Sequence, residues 1–364
     1  MDYTLKGAQT MKVSKSSLPL YKQIYEDLKI QIQENHYEEG SFLPAERVLS
    51  EHYQVERLTL RKALALLAEE GYLQKLPGAG NKVLRPASFN VTSQEAHSIA
   101  YILPTSSGEE APQPYHMEIC NYLEKYCKEE GLDLIFTKVS PSSPLPAFLA
   151  NPSSIKGIIW VGDIDASFLE LARLNHIPSI VISNQSPHFA CINNDDINCS
   201  YTATEHLIQK GCKKIVHIAG LIGYISRFNR VEGYRRALLV NGLTYSPEYV
   251  VSGDWSFTSG YNSISTLLEK GIPFDGIAAA NDMMALGAMK AVVAAGLKVP
   301  EDVKIIGIDN IDQSKTSIPA LTTVCIEQRS IAQLAFLFLK QAIAGTLIPE
   351  EVLIPGRLIV RETT

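Results

Sequence analysis

Gly276-Ile-Ala-Ala-Ala-Asn281-Asp282-Met-Met-Ala-Leu-Gly287 is the stretch whose reading decides the fold. Ile277 to Ala280 is a short apolar run behind a glycine, the pattern of a strand buried on both faces. Asn281 and Asp282 interrupt it, and both residue types favour the N-cap of a helix. Leu286, Met289 and Val293 then share one helical stripe, so the stretch reads as strand, polar pair, helix. In an open parallel sheet ligands gather where strands end and helices begin, because free backbone N–H groups and short polar side chains meet there. Taken alone, the pair is better read as a helix cap than as a ligand contact.

Outward from this stretch the same alternation recurs. Strands are expected at 99–103, 132–137, 157–161, 179–182, 214–219, 276–280 and 303–308. Helices are expected at 115–130, 202–210, 230–241, 259–270 and 282–295. Strands separated by helices make parallel βαβ units, and so many elements divide more economically into two lobes with a cleft between them than into one sheet. Polar residues fall at the expected strand ends: Ser106 and Ser107, Ser183, the run Asn193-Asn194-Asp195-Asp196, Arg230, Asp254-Trp255, Asn281-Asp282 and Asp309-Asn310. Paired carboxyl and amide groups, a forked arginine donor and a flat indole together suit a sugar. Each residue by itself is more economically a cap or loop residue.

The N-terminal part has a different rhythm. Residues 1–17 form a polar leader, and Leu20, Ile24, Leu28 and Ile32 repeat every four positions on a helix. A second helix begins in Phe42-Leu-Pro-Ala-Glu46-Arg47, and a third carries Arg57, Thr59, Arg61 and Lys62 on one side and Leu60, Leu64 and Leu67 on the other. Tyr72 to Leu84 alternates around Gly78-Ala-Gly80, which suits a β-hairpin wing. Two short helices joined by a tight turn present the second one to a major groove. Residues 86–97 carry no period and form the expected linker, leaving 18–85 and 98–364 as the two domains.

Composition narrows the class. The chain of 364 residues has a formal net charge of -6, and the segment from Lys12 to Arg85 is close to neutral on this acidic background. That excludes a protein that coats nucleic acid, and permits one that reads DNA with a few placed side chains. No run reaches the 18 apolar residues of a membrane span, and the first residues lack the form of a signal peptide. The six cysteines are scattered without metal-ligand spacing, as expected for reduced thiols in a cytoplasmic protein that needs no metal or cofactor. No nucleophile elbow, P-loop or dinucleotide fingerprint is present, so no catalytic residue is assigned.

Leu43-Pro44-Ala45-Glu46-Arg47-Val-Leu49-Ser50 and Val55-Glu56-Arg57-Leu-Thr59-Leu60-Arg61-Lys-Ala63-Leu64 resemble, in order and spacing, the winged helix-turn-helix domain of GntR-family regulators. The resemblance implies DNA contacts at Arg47, Arg57, Thr59 and Arg61, with Lys62 adjoining and Gly78 and Gly80 at the wing tip. Glu56 and Asn81 depart from the family's usual serine and threonine, and the carboxylate of Glu56 can only cap the helix or repel DNA.

From Ile192 to about Ala344 the chain resembles the effector domain of LacI-family repressors. The stretches that carry this are Arg230-Val-Glu-Gly-Tyr234, Gly253-Asp-Trp255-Ser, Ala280-Asn-Asp-Met-Met-Ala-Leu-Gly287 and Gly307-Ile-Asp309-Asn310. That resemblance implies ligand contacts at Arg230, Trp255, Asn281 and Asp309, and more weakly at Ser106, Ser107, Ser183 and Asn194, with Asp282 left mainly as a cap. A GntR-type reader on a LacI-like effector domain resembles the arabinose-repressor branch of GntR regulators. The combination implies a homodimeric repressor that a monosaccharide, such as an aldopentose or deoxyhexose, releases from double-stranded operator DNA. The alternative is a corepressor mechanism with a nucleobase or sugar phosphate.

Overall fold

The computed structural model describes residues 19–33, 36–76, 80–84, 96–104, 112–140 and 145–364. The leader 1–17, most of the linker (86–95), Gly78, Ser106 and Ser107 lie outside the described residues. The chain divides into two compact units, Met1–Gln94 and Glu95–Thr364.

In the first unit, α1 (Leu20–Gln33), α2 (Glu46–His52) and α3 (Arg57–Glu69) precede an antiparallel pair, β1 (Leu73–Leu76) and β2 (Gly80–Val83). The four-residue repeat of α1 buries Ile24, Leu28 and Ile32 against Leu49 of α2 and Leu60, Leu64 and Leu67 of α3. Full burial of such side chains stabilises by roughly 1.5–3 kcal/mol each. Polar contacts also tie the helices together: Tyr53 donates to Asp27 (2.6 Å), while Tyr25 (2.5 Å) and Lys29 (2.8 Å) donate to Glu70 beyond the end of α3. The second helix starts at Glu46, later than its sequence suggests, because Leu43 and Phe42 are drawn into extended pairing with the wing.

The second unit holds two six-stranded sheets. Lobe 1 contains β3 (Ser98–Pro104), β4 (Asp133–Val139), β5 (Gly157–Val161), β6 (Ser179–Ile182) and β7 (Ala190–Asn194), with helices α4 (Pro114–Glu129), α5 (Ala147–Ala150) and α6 (Ala166–Leu174). Lobe 2 contains α7 (Asp196–Gln209), β8 (Ile215–Ala219), α8 (Ile225–Val240), β9 (Val250–Ser252) and α9 (Phe257–Glu269). It continues with β10 (Gly276–Ala279), α10 (Asp282–Ala294), β11 (Lys304–Asp309), α11 (Asp312–Thr316) and β12 (Thr322–Cys325). The chain then returns to lobe 1 through α12 (Gln328–Ile343) and β13 (Glu351–Ile354), and to lobe 2 through β14 (Arg357–Ile359). Strand orders are β13-β7-β6-β5-β3-β4 and β14-β12-β11-β10-β8-β9, parallel except that β14 runs antiparallel to β12.

Three short crossings thus join the lobes, at 195, 326–327 and 355–356, and the backbone N–H of Asp195 ties the first to the third through Ile354 O at 2.9 Å. Ile277 and Ala280 are fully buried, as expected of a central strand. Helices α9 and α10 touch at glycines: a Cβ on Gly287 would lie 2.0 Å from Phe257 O. Strand β7 escapes the sequence pattern because it ends on two asparagines rather than on an apolar run. Helix α8 begins five residues before its expected start, since Ile225-Ser-Arg-Phe-Asn leaves Phe228 facing solvent and shows no buried stripe.

Candidate functional site

Between the two lobes a cavity of about 100 Å³ lies at the carboxyl ends of the strands. Lobe 1 contributes Tyr115, Lys138, Ser183 and Asn194, and lobe 2 contributes Arg230, Trp255, Asn281 and Asp309. Six of the eight ligand-contact expectations therefore converge on one cavity, and the other two, Ser106 and Ser107, lie outside the described residues.

Arg230 lines the cavity and is 5% exposed. Its Nε and Nη2 each lie 2.8 Å from Asp196 Oδ1, and Nη1 donates to Ala280 O. Its guanidinium stands 5.6 Å from the centre of the Trp255 ring, within cation–π range. Burial alone would lower the arginine's pKa, but the Asp196 and Asp309 carboxylates raise it above its ordinary value, so it stays charged.

Trp255 reaches the cavity only because Gly220 has no side chain: a Cβ there would fall 1.9 Å from the indole Cζ2. Its backbone has φ +72°, and Ser183, Asp309 and Asn310 also have positive φ (58°, 121° and 62°). Such backbone is uncommon for residues with side chains, and here it clusters at or next to the cavity.

Asn281 caps α10, its Oδ1 accepting from Met284 N (2.9 Å), while its Nδ2 donates to Trp255 O (2.9 Å). It thus couples the helix start to the indole's loop. Asp282, read from sequence as the capping member of the pair, instead lies fully buried and accepts from Ile311 N (3.0 Å) and Thr323 Oγ1 (2.6 Å). Burial raises its pKa to about 7 against these hydrogen bonds. Burial pushes Asp309 well above the carboxylate range, with Arg230 opposing and Asp282 and Asp196 adding to the rise. Asp309 presents its carboxyl group to the cavity that Arg230 also lines.

Across the cleft Asn194 accepts from Tyr115 O–H at 3.1 Å, and the buried Ser183 Oγ has no hydrogen-bond partner among the described residues. The sequence reading missed Tyr115, Asp196 and Tyr224. Asp196 stood in the quoted polar run, but nothing in that run distinguished it from Asp195, which caps α7.

In the first unit Arg57 opens α3, and Arg57, Arg61 and Lys62 are exposed while Thr59 is half-buried. Arg61 Nε donates to Glu46 Oε2 at 2.8 Å, and Arg47 lies 3.7 Å from Glu51. Glu56 occupies the N-cap position of α3 but its side chain makes no capping bond. Gly80 opens β2 with φ +108°. A cationic helix beside a hairpin wing, in one chain with a two-lobed clamp, defines a ligand-responsive DNA-binding transcription regulator.

Comparison with known proteins gives that class a family. Residues 20–83 match the family described as bacterial regulatory proteins, gntR family, and residues 204–364 match the periplasmic binding protein-like domain. The HTH-type transcriptional repressor PurR of Haemophilus influenzae is 30% identical over 258 residues, 69% of this chain and 74% of its own length. The HTH-type transcriptional repressor CytR of Escherichia coli is 29% identical over 328 residues, 87% of this chain and 91% of its own. A solved LacI-family regulator from Enterococcus faecium with bound ribose superposes with a TM-score of 0.65 at 23% identity, covering 73% of this chain and 98% of that one. The chain belongs to the helix-turn-helix transcriptional repressors of LacI/GntR type, with a GntR reader in front of a periplasmic-binding-like domain.

Proposed function

We propose that the cleft binds a monosaccharide, and that binding releases a homodimer of this repressor from operator DNA. The observation that carries the reading is the meeting of an indole face, Arg230 and Asp309 at one cavity between the lobes. Sugars present an apolar ring face and vicinal hydroxyls, which such a set matches. The ribose seen in the E. faecium regulator of the same fold supports it. Asn281 lines the cavity and holds the loop of Trp255, and Ser183 and Asn194 complete the contacts from lobe 1. A phosphorylated ligand fits less well, because Arg230 is already committed to Asp196.

On the DNA side Arg47, Arg57, Thr59, Arg61 and Lys62 touch the operator, with Gly78 and Gly80 in the wing. Half-sites lie near a multiple of 10 base pairs apart. The units act as a reading domain at 18–85 and an effector domain at 98–364. The protein acts in the cytoplasm, without catalysis.

Thermal unfolding against a panel of pentoses, hexoses and deoxyhexoses tests the reading. A true ligand at 100 times its Kd stabilises by about 2.7 kcal/mol, and Trp255→Ala removes the shift. The sign of the ligand's effect on operator affinity decides between inducer and corepressor. A panel without any stabilising sugar would sink the proposal.

A further inference from the structure

One side chain on the recognition helix does not fit the pattern of a charged reader over an apolar base. Leu58, the second residue of α3, is 65% exposed, whereas Leu60, Ala63, Leu64 and Leu67 of the same helix are all buried. It lies three and four residues before Arg61 and Lys62, so the three share one exposed face, with Arg57 beside them. Isolated exposed leucines are common on protein surfaces and need no explanation. This one stands in the first turn of the helix whose N-terminal residues meet base edges, surrounded by cations that draw in a polyanion.

We propose that Leu58 is a specificity residue that reads the C5-methyl group of a thymine in the major groove of the operator. In that groove thymine alone among the four bases shows a methyl group, and apolar side chains recognise it by contact. Arg57 and Arg61 then supply the polar readout, and Leu58 marks a thymine between their contacts. The inference rests on α3 being the recognition helix, and its test is built to fail separately from that reading.

The operator is first obtained by selection from random duplexes with the full-length protein. Each thymine is then replaced singly by uracil, which removes only the methyl group, and binding is measured for the wild type and for Leu58→Ala. The expected result is one thymine per half-site where uracil weakens wild-type binding about fourfold, the worth of a buried methyl-sized group of about 0.8 kcal/mol. The Leu58→Ala protein, folded as judged by circular dichroism, then binds thymine and uracil duplexes equally at that position. Equal sensitivity of both proteins at every position, or of neither, overturns the proposal. So does a Leu58→Ala protein that changes its oligomeric state while keeping the wild-type uracil dependence, since Leu58 then packs against protein. If selection returns no sequence, or Arg61→Ala binds as the wild type does, the recognition-helix reading itself fails.

Discussion

Two arginine–carboxylate pairs, one in each unit, have the same length and different physics. Arg61 meets Glu46 at 2.8 Å on the surface, with side chains 60% and 24% exposed, and Arg230 meets Asp196 at 2.8 Å with side chains 6% and 9% exposed. In the first pair water screens the attraction, and the arginine is at liberty to change partners. In the second, desolvation makes each charge depend on the other, so the pair fixes the geometry of the cleft. The difference follows from solvent: exposed cations act on a distant anion through screening water, whereas groups already removed from water hold one alignment.

Arg230→Ala tests the comparison most severely. It leaves Asp196 buried and unpaired, and is expected to cost about 3–5 kcal/mol in urea unfolding with little dependence on salt. Tryptophan fluorescence follows this directly, because Trp160 and Trp255, the only two tryptophans, both belong to the effector unit. A loss below about 1 kcal/mol would place this pair in the same class as the exposed one.

Acid comes next in expected size. His217 is buried, stacked on Tyr234 with ring centres 5.0 Å apart, and burial lowers its pKa to about 3; burial lowers that of His116, which lines the cavity, to about 4. Both values lie below that of an unfolded histidine. Their contribution is therefore complete above a pH of about 6.5 and is lost as pH falls toward the folded values. Asp282 works in the opposite sense: its raised pKa gives stability that is present below a pH of about 4 and declines as pH rises through about 7. A His217→Leu variant is expected to remove roughly 1–2 kcal/mol of the change in stability between pH 7 and pH 5. Unchanged slopes for variant and wild type would show that His217 titrates normally in the fold.

The smallest effect is expected at the exposed pair. Glu46→Ala should change the melting of the DNA-reading unit by less than about 1 kcal/mol, and less again in high salt. A larger, salt-independent loss in calorimetry would mean that the surface pair is structural and would remove the contrast between the units.

Much of this was legible from residue order. The strand at 276–279 and the helix at 282–294 lie within a residue of their expected bounds, because a short apolar run and a capped stripe are local signals. Arg230, Trp255, Asn281 and Asp309, which the family resemblance implies as contacts, meet at one cavity. What local pattern could not supply was the division of labour within Asn281-Asp282. Either residue type can cap a helix, and only the neighbours contributed by 311 and 323 make Asp282 the buried tie. The same holds for Asp195 and Asp196, since the guanidinium that selects one of them is supplied from 34 residues away.

Residue order by itself determined the two kinds of unit in this protein, a helix-turn-helix reader and a parallel α/β effector domain, because periodicity and capping act over a few neighbouring residues. Tertiary structure alone decided which polar groups remain charged, which are held neutral and which side chain holds which. Those outcomes depend on burial and on partners distant in sequence, and desolvation is a property of the packed molecule rather than of any segment of it.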